Sequence, residues 1–192
     1  MSTGFACFPV AAQAATGGAG VSDEPAQKAG SAVAVAAPDD LAGGAAFAPP
    51  PTRPVIAGSV AVLRDGIAYA PADAPIEVKR AIWAGNQLRG KPYVYGGGHR
   101  SFRSRGYDCS GTVSYALHAA GLLDSPLDSS SFLRWGERGR GAWITVYTNP
   151  GHAYVVIAGL RLDTSGEGER GPRWRLEKRS SRGFRARHAE AF

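Results

Sequence analysis

The chain has 192 residues, 44% of them apolar and 20% charged, with 22 basic and 16 acidic side chains and a formal charge of +6. This length suits one domain of ordinary size and a tail rather than two full domains. Two cysteines, Cys7 and Cys109, exclude a disulfide-stapled framework and any metal site built from a cysteine cluster.

Residues 1–50 contain sixteen Ala, seven Gly and five Pro. So few large side chains cannot offset the entropy of ordering the backbone. Residues 16–59 therefore read as a flexible linker, stiffened near its end by Pro49-Pro50-Pro51. Residues 1–15 carry a short apolar run, Phe5 to Ala12, and then Ala12-Gln13-Ala14, a small-x-small cleavage pattern. A basic segment before the run is missing, so the expectation is an export signal truncated at its front, with disorder as the plain alternative. The charge-free opening is too rich in Ala, Gly, Ser and Thr to span a membrane.

From residue 60 to 192 a single domain is expected. Asp73 is placed to cap a helix with Pro75 and Glu77 in its first turn, Val78, Ile82, Gly85 and Leu88 along one face, and Gly90 as its stop. A glycine-rich stretch, 92–98, and a basic loop with His99, Arg100, Arg103 and Arg105 follow. The next helix starts at Cys109 behind Asp108 as N-cap and ends at Gly121, with Val113, Leu117 and Ala120 inward. Beyond it the period changes to two: 143–147, 152–158, 161–163 and 173–176 read as strands, with Gly159-Leu160 as a hairpin-length break. Helices followed by antiparallel strands give an α+β domain.

Cys109 is the chemical focus. A thiol in the first turn of a helix faces unpaired N–H groups and the positive end of the helix dipole, which favour the thiolate. The same position also suits a small buried apolar residue. Of the four histidines, His118 lies on the same helix, roughly 13 Å along at 1.5 Å per residue, and cannot meet the thiol. His188 sits in a basic terminal segment and reads as solvated, and His99 precedes the cysteine in a loop. His152 opens an apolar strand, on one face with Tyr154 and Val156. Paired with Cys109 it gives a nucleophile and base, and Asp163 on the adjoining strand could orient its other ring nitrogen.

Three motifs then stand in order: Gly90-Lys91-Pro92-Tyr93-Val94-Tyr95-Gly96-Gly97, Tyr107-Asp108-Cys109-Ser110-Gly111, and Gly151-His152 leading an apolar strand. Together, over about residues 75–165, the chain resembles the NlpC-type cell-wall endopeptidases, a bacterial branch of the papain-like cysteine peptidases. The resemblance implies a papain-like α+β fold with a helix-start cysteine packed on an antiparallel sheet. It implies Cys109 as nucleophile, His152 as base, Asp163 as its orienting group and Tyr93 as an oxyanion donor. Asp108, Ser110, Ser130 and Arg103 are the expected substrate-binding residues. No metal or organic cofactor is implied. The implied partner is the stem peptide of peptidoglycan, cleaved at an amide next to D-glutamyl or diaminopimelate residues by an exported enzyme; a monomer is expected. Two other readings fit the same residues: a wall-binding domain that does not cut, and an amidase or acyltransferase of related papain-like type.

Three features depart from the family pattern. The segment between Tyr93 and Cys109 carries extra residues, three of them arginines; Asp163 is acidic and follows His152 by eleven positions; and residues 170–187 form a basic run. That run reads as a solvated face or as an attraction toward anionic wall polymer. Nucleic acid is not expected as a partner, because no groove-reading motif is present.

Overall fold

A computed structural model describes residues 53–166, 171–176 and 179–192. The expected export signal and nearly all of the expected linker lie outside the described residues. The linker's last residues do not. Val55–Ile56 form a strand, β1, parallel to β3 (Ile67–Pro71), which also pairs antiparallel with β2 (Val62–Arg64). This three-stranded sheet precedes the first helix, where sequence patterning expects no strand. Ala68 and Ala70 are its fully buried residues, so it fits against the core through small side chains that give no strong alternating signal.

Helix α1 spans Ile76–Gln87. Its N-cap is Pro75, with no side-chain cap, so the expected capping role of Asp73 is not realised. The amide of Asp73 instead donates to the Gly58 carbonyl, tying the approach to the helix back to the loop after β1. Val78, Ala81, Ile82 and Ala84 are buried, and Asn86 holds β3 by accepting from the Ala68 amide and donating to its carbonyl, both at 2.9 Å. Gly85 is a packing requirement: a Cβ there would drive into the Trp174 ring.

Helix α2 spans Cys109–Ala119, with Asp108 as N-cap accepting from the Gly111 amide. Val113, Ala116 and Leu117 are fully buried, with Ala120 nearly so. The short helix α3 (Ser129–Phe132) buries Phe132. The remaining strands are β4 (Glu137–Arg138), β5 (Ile144–Asn149), β6 (His152–Ile157), β7 (Leu160–Asp163), β8 (Arg173–Arg175) and β9 (Arg185–His188). They form one sheet in the order β4-β9-β5-β6-β7-β8, antiparallel throughout.

Alternation divides this sheet into two faces. Ile144, Val146, Ala153, Val155, Ile157, Leu160, Leu162 and Trp174 join the helices in the core. The other face carries the intervening residues, among them His152, Tyr154, Arg161 and Asp163. The domain is thus α+β, with the cysteine-bearing helix on an antiparallel sheet. The basic run is only partly the solvated face expected of it. Arg187 is buried in β9, where its side chain donates to the Trp135 and Gly136 carbonyls at 2.7 and 2.9 Å. His188, expected to be solvated, is half-buried in the same strand. Among the described residues, no helix is long and apolar enough to cross a membrane.

Candidate active site

The start of α2 is built by Asp108. Its carboxylate accepts from the Gly111 amide at 2.8 Å and the Gly96 amide at 3.0 Å, and meets the His99 Nε2 at 2.9 Å. One buried side chain therefore joins the helix start to the glycine-rich loop and to the basic loop after it. Expected among the substrate-binding residues, Asp108 has both oxygens engaged inside the protein. Ser110 is buried beside it and hydrogen-bonds His99 at 3.0 Å.

The glycines of the two motifs have a common cause. The Asp108 amide donates to the Gly97 carbonyl, and a Cβ on Gly111 would collide with that same carbonyl. A Cβ on Gly97 would in turn strike the Gly106 carbonyl. Backbone lies on backbone here, which only glycine permits. The loop is held alongside residues 106–108 by Tyr107 N–H to Pro92 O and Val94 N–H to Tyr107 O. This pairing sets Tyr93 next to the helix start.

Cys109 is buried and unpaired. Burial pushes its thiol toward the neutral form, but the hydrogen bond with His152, the Ala153 amide and the charge of the imidazole outweigh it, so its pKa falls below the ordinary thiol value. His152 comes from the first residue of β6. Its Nε2 lies 2.9 Å from Asp163 Oδ1, which leaves Nδ1 as the ring nitrogen available to the thiol. Desolvation opposes charge on the ring, yet the hydrogen bonds with Asp163 and Cys109 and their negative charge prevail, raising its pKa to about 9. Asp163 is completely enclosed. Burial works against its ionisation, and the hydrogen bonds from His152 and from the Ser165 amide and hydroxyl more than compensate, holding its carboxyl below the usual range. The thiol, imidazole and carboxylate thus stand in series, each shifted toward its charged form by its neighbour.

Two residues of the site escape sequence reasoning. Arg179 donates from Nη1 to Asp163 Oδ2 at 3.2 Å and also reaches the Ser165 hydroxyl. Its guanidinium lies over the rings of Tyr154 and Phe184, 5.5 and 5.2 Å from their centroids. Phe184 meets the His152 ring edge-on at 6.2 Å and shields it. The basic run concealed both, since neither has a local motif.

The remaining expected residues are distributed around this centre. Tyr93 is half open to solvent, and burial together with the nearby Cys109 and Asp108 charges raises its phenol pKa, so the hydroxyl keeps its proton. Ser130 is exposed on α3. That helix is anchored beside the β5–β6 turn by Ser129 Oγ to Pro150 O at 3.0 Å and by the Thr148 hydroxyl to Ser129 O. Arg103 is exposed, and its charge acts on Tyr115, whose phenol is raised mainly by burial. His118 stacks on Phe102 and contacts the Leu123 carbonyl, away from the thiol. Among the described residues, no group of three or more His, Cys, Asp or Glu is arranged to hold a metal ion.

No protein-family model matches the chain, and no curated protein matches it. Solved structures similar to it include the following three. The peptidoglycan hydrolase RipB from Mycobacterium tuberculosis is 21% identical, with a TM-score of 0.46 over 59% of this chain and 64% of that one. A variant of the resuscitation-promoting-factor-interacting protein RipA is 22% identical, with a TM-score of 0.44 over 58% of this chain and 62% of that one. The P60 domain of an antigen from M. avium subspecies paratuberculosis is 18% identical, with a TM-score of 0.41 over 58% of this chain and 94% of that domain. The chain thus spans less than two thirds of the first two.

Proposed function

We propose that this chain is a cysteine hydrolase that cleaves an amide bond in the stem peptides of peptidoglycan, next to a D-glutamyl or diaminopimelate residue. The observation that carries the reading is the hydrogen-bonded series Cys109–His152–Asp163 at the start of a helix. A buried thiol with no chemical task has no need of an imidazole that is itself anchored by an enclosed carboxylate. The motif resemblance supplies the substrate class, and a wall substrate implies export.

In this reaction the Cys109 thiolate attacks the amide carbonyl carbon, forming a C–S bond and a tetrahedral oxyanion. The Gly111 and Thr112 amides are bonded to Asp108; the Cys109 N–H at the helix start, together with the Tyr93 hydroxyl, holds the oxyanion. The His152 imidazolium protonates the amine as the C–N bond breaks. Water then loses a proton to His152 and attacks the thioester, releasing the acid and restoring the thiolate. Asp163 keeps the ring oriented and its positive form stabilised. Ser110 on α2, Ser130 on α3 and Arg103 on the basic loop are the proposed substrate contacts, with Asp108 joining the start of α2 to that loop through His99.

Digestion of purified muropeptides with the full chain, read by mass spectrometry, tests the reading. Wild type is expected to release the peptide fragments of a single amide cleavage, and Cys109→Ala to release none while keeping its fold. Intact muropeptides after prolonged incubation with a folded, thiol-reactive wild type would point instead to another acyl substrate.

A further inference from the structure

The outer face of the sheet carries a groove of about 450 Å³, lined by Tyr147, Tyr154 and Val156 and by the side chains of Arg140, Arg161, Arg175 and Arg179. Cross-strand register creates it: Tyr147 stands opposite Tyr154, Val156 opposite Arg161, and Arg161 opposite Arg175. The two tyrosine rings stack at 5.0 Å and form a flat floor. Four arginines line the groove, and two of them, Arg161 and Arg179, pair with the Asp163 carboxylate at 3.6 and 3.2 Å.

A second observation points to a ligand. Nε and Nη2 of Arg175 are buried and have no hydrogen-bond partner among the described residues. Buried guanidinium nitrogens without an acceptor carry a desolvation penalty, and the Arg175 side chain is part of the groove lining. Arg161 and Arg175 come from the adjacent strands β7 and β8, and Arg140 and Arg179 from segments outside them. A planar carboxylate offers two oxygens in one plane, whereas a tetrahedral phosphate offers acceptors in several directions and up to two charges.

We propose that this groove is a binding site for a phosphate-bearing ligand, held by Arg175 and Arg140 with Arg179 at its inner end. The site adjoins the Cys109–His152–Asp163 centre through Arg179 but does not depend on the hydrolytic reading.

Calorimetric titration of the full chain with inorganic phosphate and with pyrophosphate, at constant ionic strength, tests it. Saturable binding is expected, tighter for pyrophosphate. Arg175→Gln and Arg140→Gln should each weaken it by about tenfold, the worth of a charge-assisted hydrogen bond. Arg80→Gln, which removes the same charge from exposed α1, should leave it unchanged. Three results would each overturn the assignment: no saturable binding to wild type, an equal loss in Arg80→Gln, or citrate binding as tightly as pyrophosphate. Arg140 is exposed, so its variant reports even if Arg175→Gln fails to fold.

Discussion

His152 and Asp163 are joined at 2.9 Å between Nε2 and Oδ1, eleven residues apart in sequence and on adjacent strands of one sheet face. The hairpin between β6 and β7 creates this contact, with Val155 opposite Leu162 and Ile157 opposite Leu160. It turns the imidazole's other nitrogen toward Cys109. Replacing Asp163 by Asn keeps the shape and an acceptor but removes the charge. Turnover, and the rate of Cys109 alkylation at neutral pH, should fall by about a hundredfold, the lower range of general acid–base contributions. Wild-type rates in Asp163→Asn would remove Asp163 from the mechanism.

Arg179 acts through Asp163 and is a positioning residue. Arg179→Gln should shift the acid limb of the alkylation profile to higher pH, because Asp163 loses the donor that fixes its Oδ2 and no longer holds the ring in place against the thiol, while Arg179→Lys should recover part of the shift. A merely structural role would lower the amount of folded protein without moving the profile.

The pKa directions also fix how stability changes with pH. His152 is raised from 6.5 to about 9 in the folded chain, so its contribution is complete below 6.5 and is lost as pH rises through about 9. Asp163 is lowered from 3.8, so its contribution is present above 3.8 and disappears as pH falls through the depressed folded value. Denaturant melts of wild type and His152→Ala should therefore converge between pH 6.5 and 9; a constant difference across that window would contradict the ion pair.

Gly111→Ala places a methyl group against the Gly97 carbonyl. Overpacking of this kind costs about 1–3 kcal/mol, and here it must also push the Tyr93 loop from the helix start. Equilibrium unfolding should record the loss, with turnover falling further than the folded fraction does. Unchanged stability would show that the loop can move aside.

Much of this arrangement is legible in the sequence because its determinants are local. Asp108 followed by Cys109-Ser110-Gly111 sets an N-cap three positions before the glycine whose amide it binds, and the alternation after His152 fixes a strand and its face. Asp163 follows from hairpin geometry. What escapes is set by distant packing. The β1–β3 sheet buries alanines rather than large alternating side chains, and β9, with the sequence Arg-Ala-Arg-His, looks polar until Arg187 is seen bonded to carbonyls some fifty residues earlier. Arg179 could not be told from its basic neighbours by sequence, since only the folded chain brings it to Asp163. Asp73 has the right chemistry for a cap but stands too far ahead of Ile76, and Pro75 takes the position instead.

The most direct test of the central claim is the rate at which iodoacetamide alkylates Cys109 at pH 6, where an ordinary thiol is almost wholly protonated. A thiolate held by imidazolium predicts fast, single-site alkylation in wild type and a loss of about tenfold or more in His152→Ala, equivalent to at least one unit of thiol pKa. Slow alkylation of wild type, or equal rates in the two proteins, would contradict it.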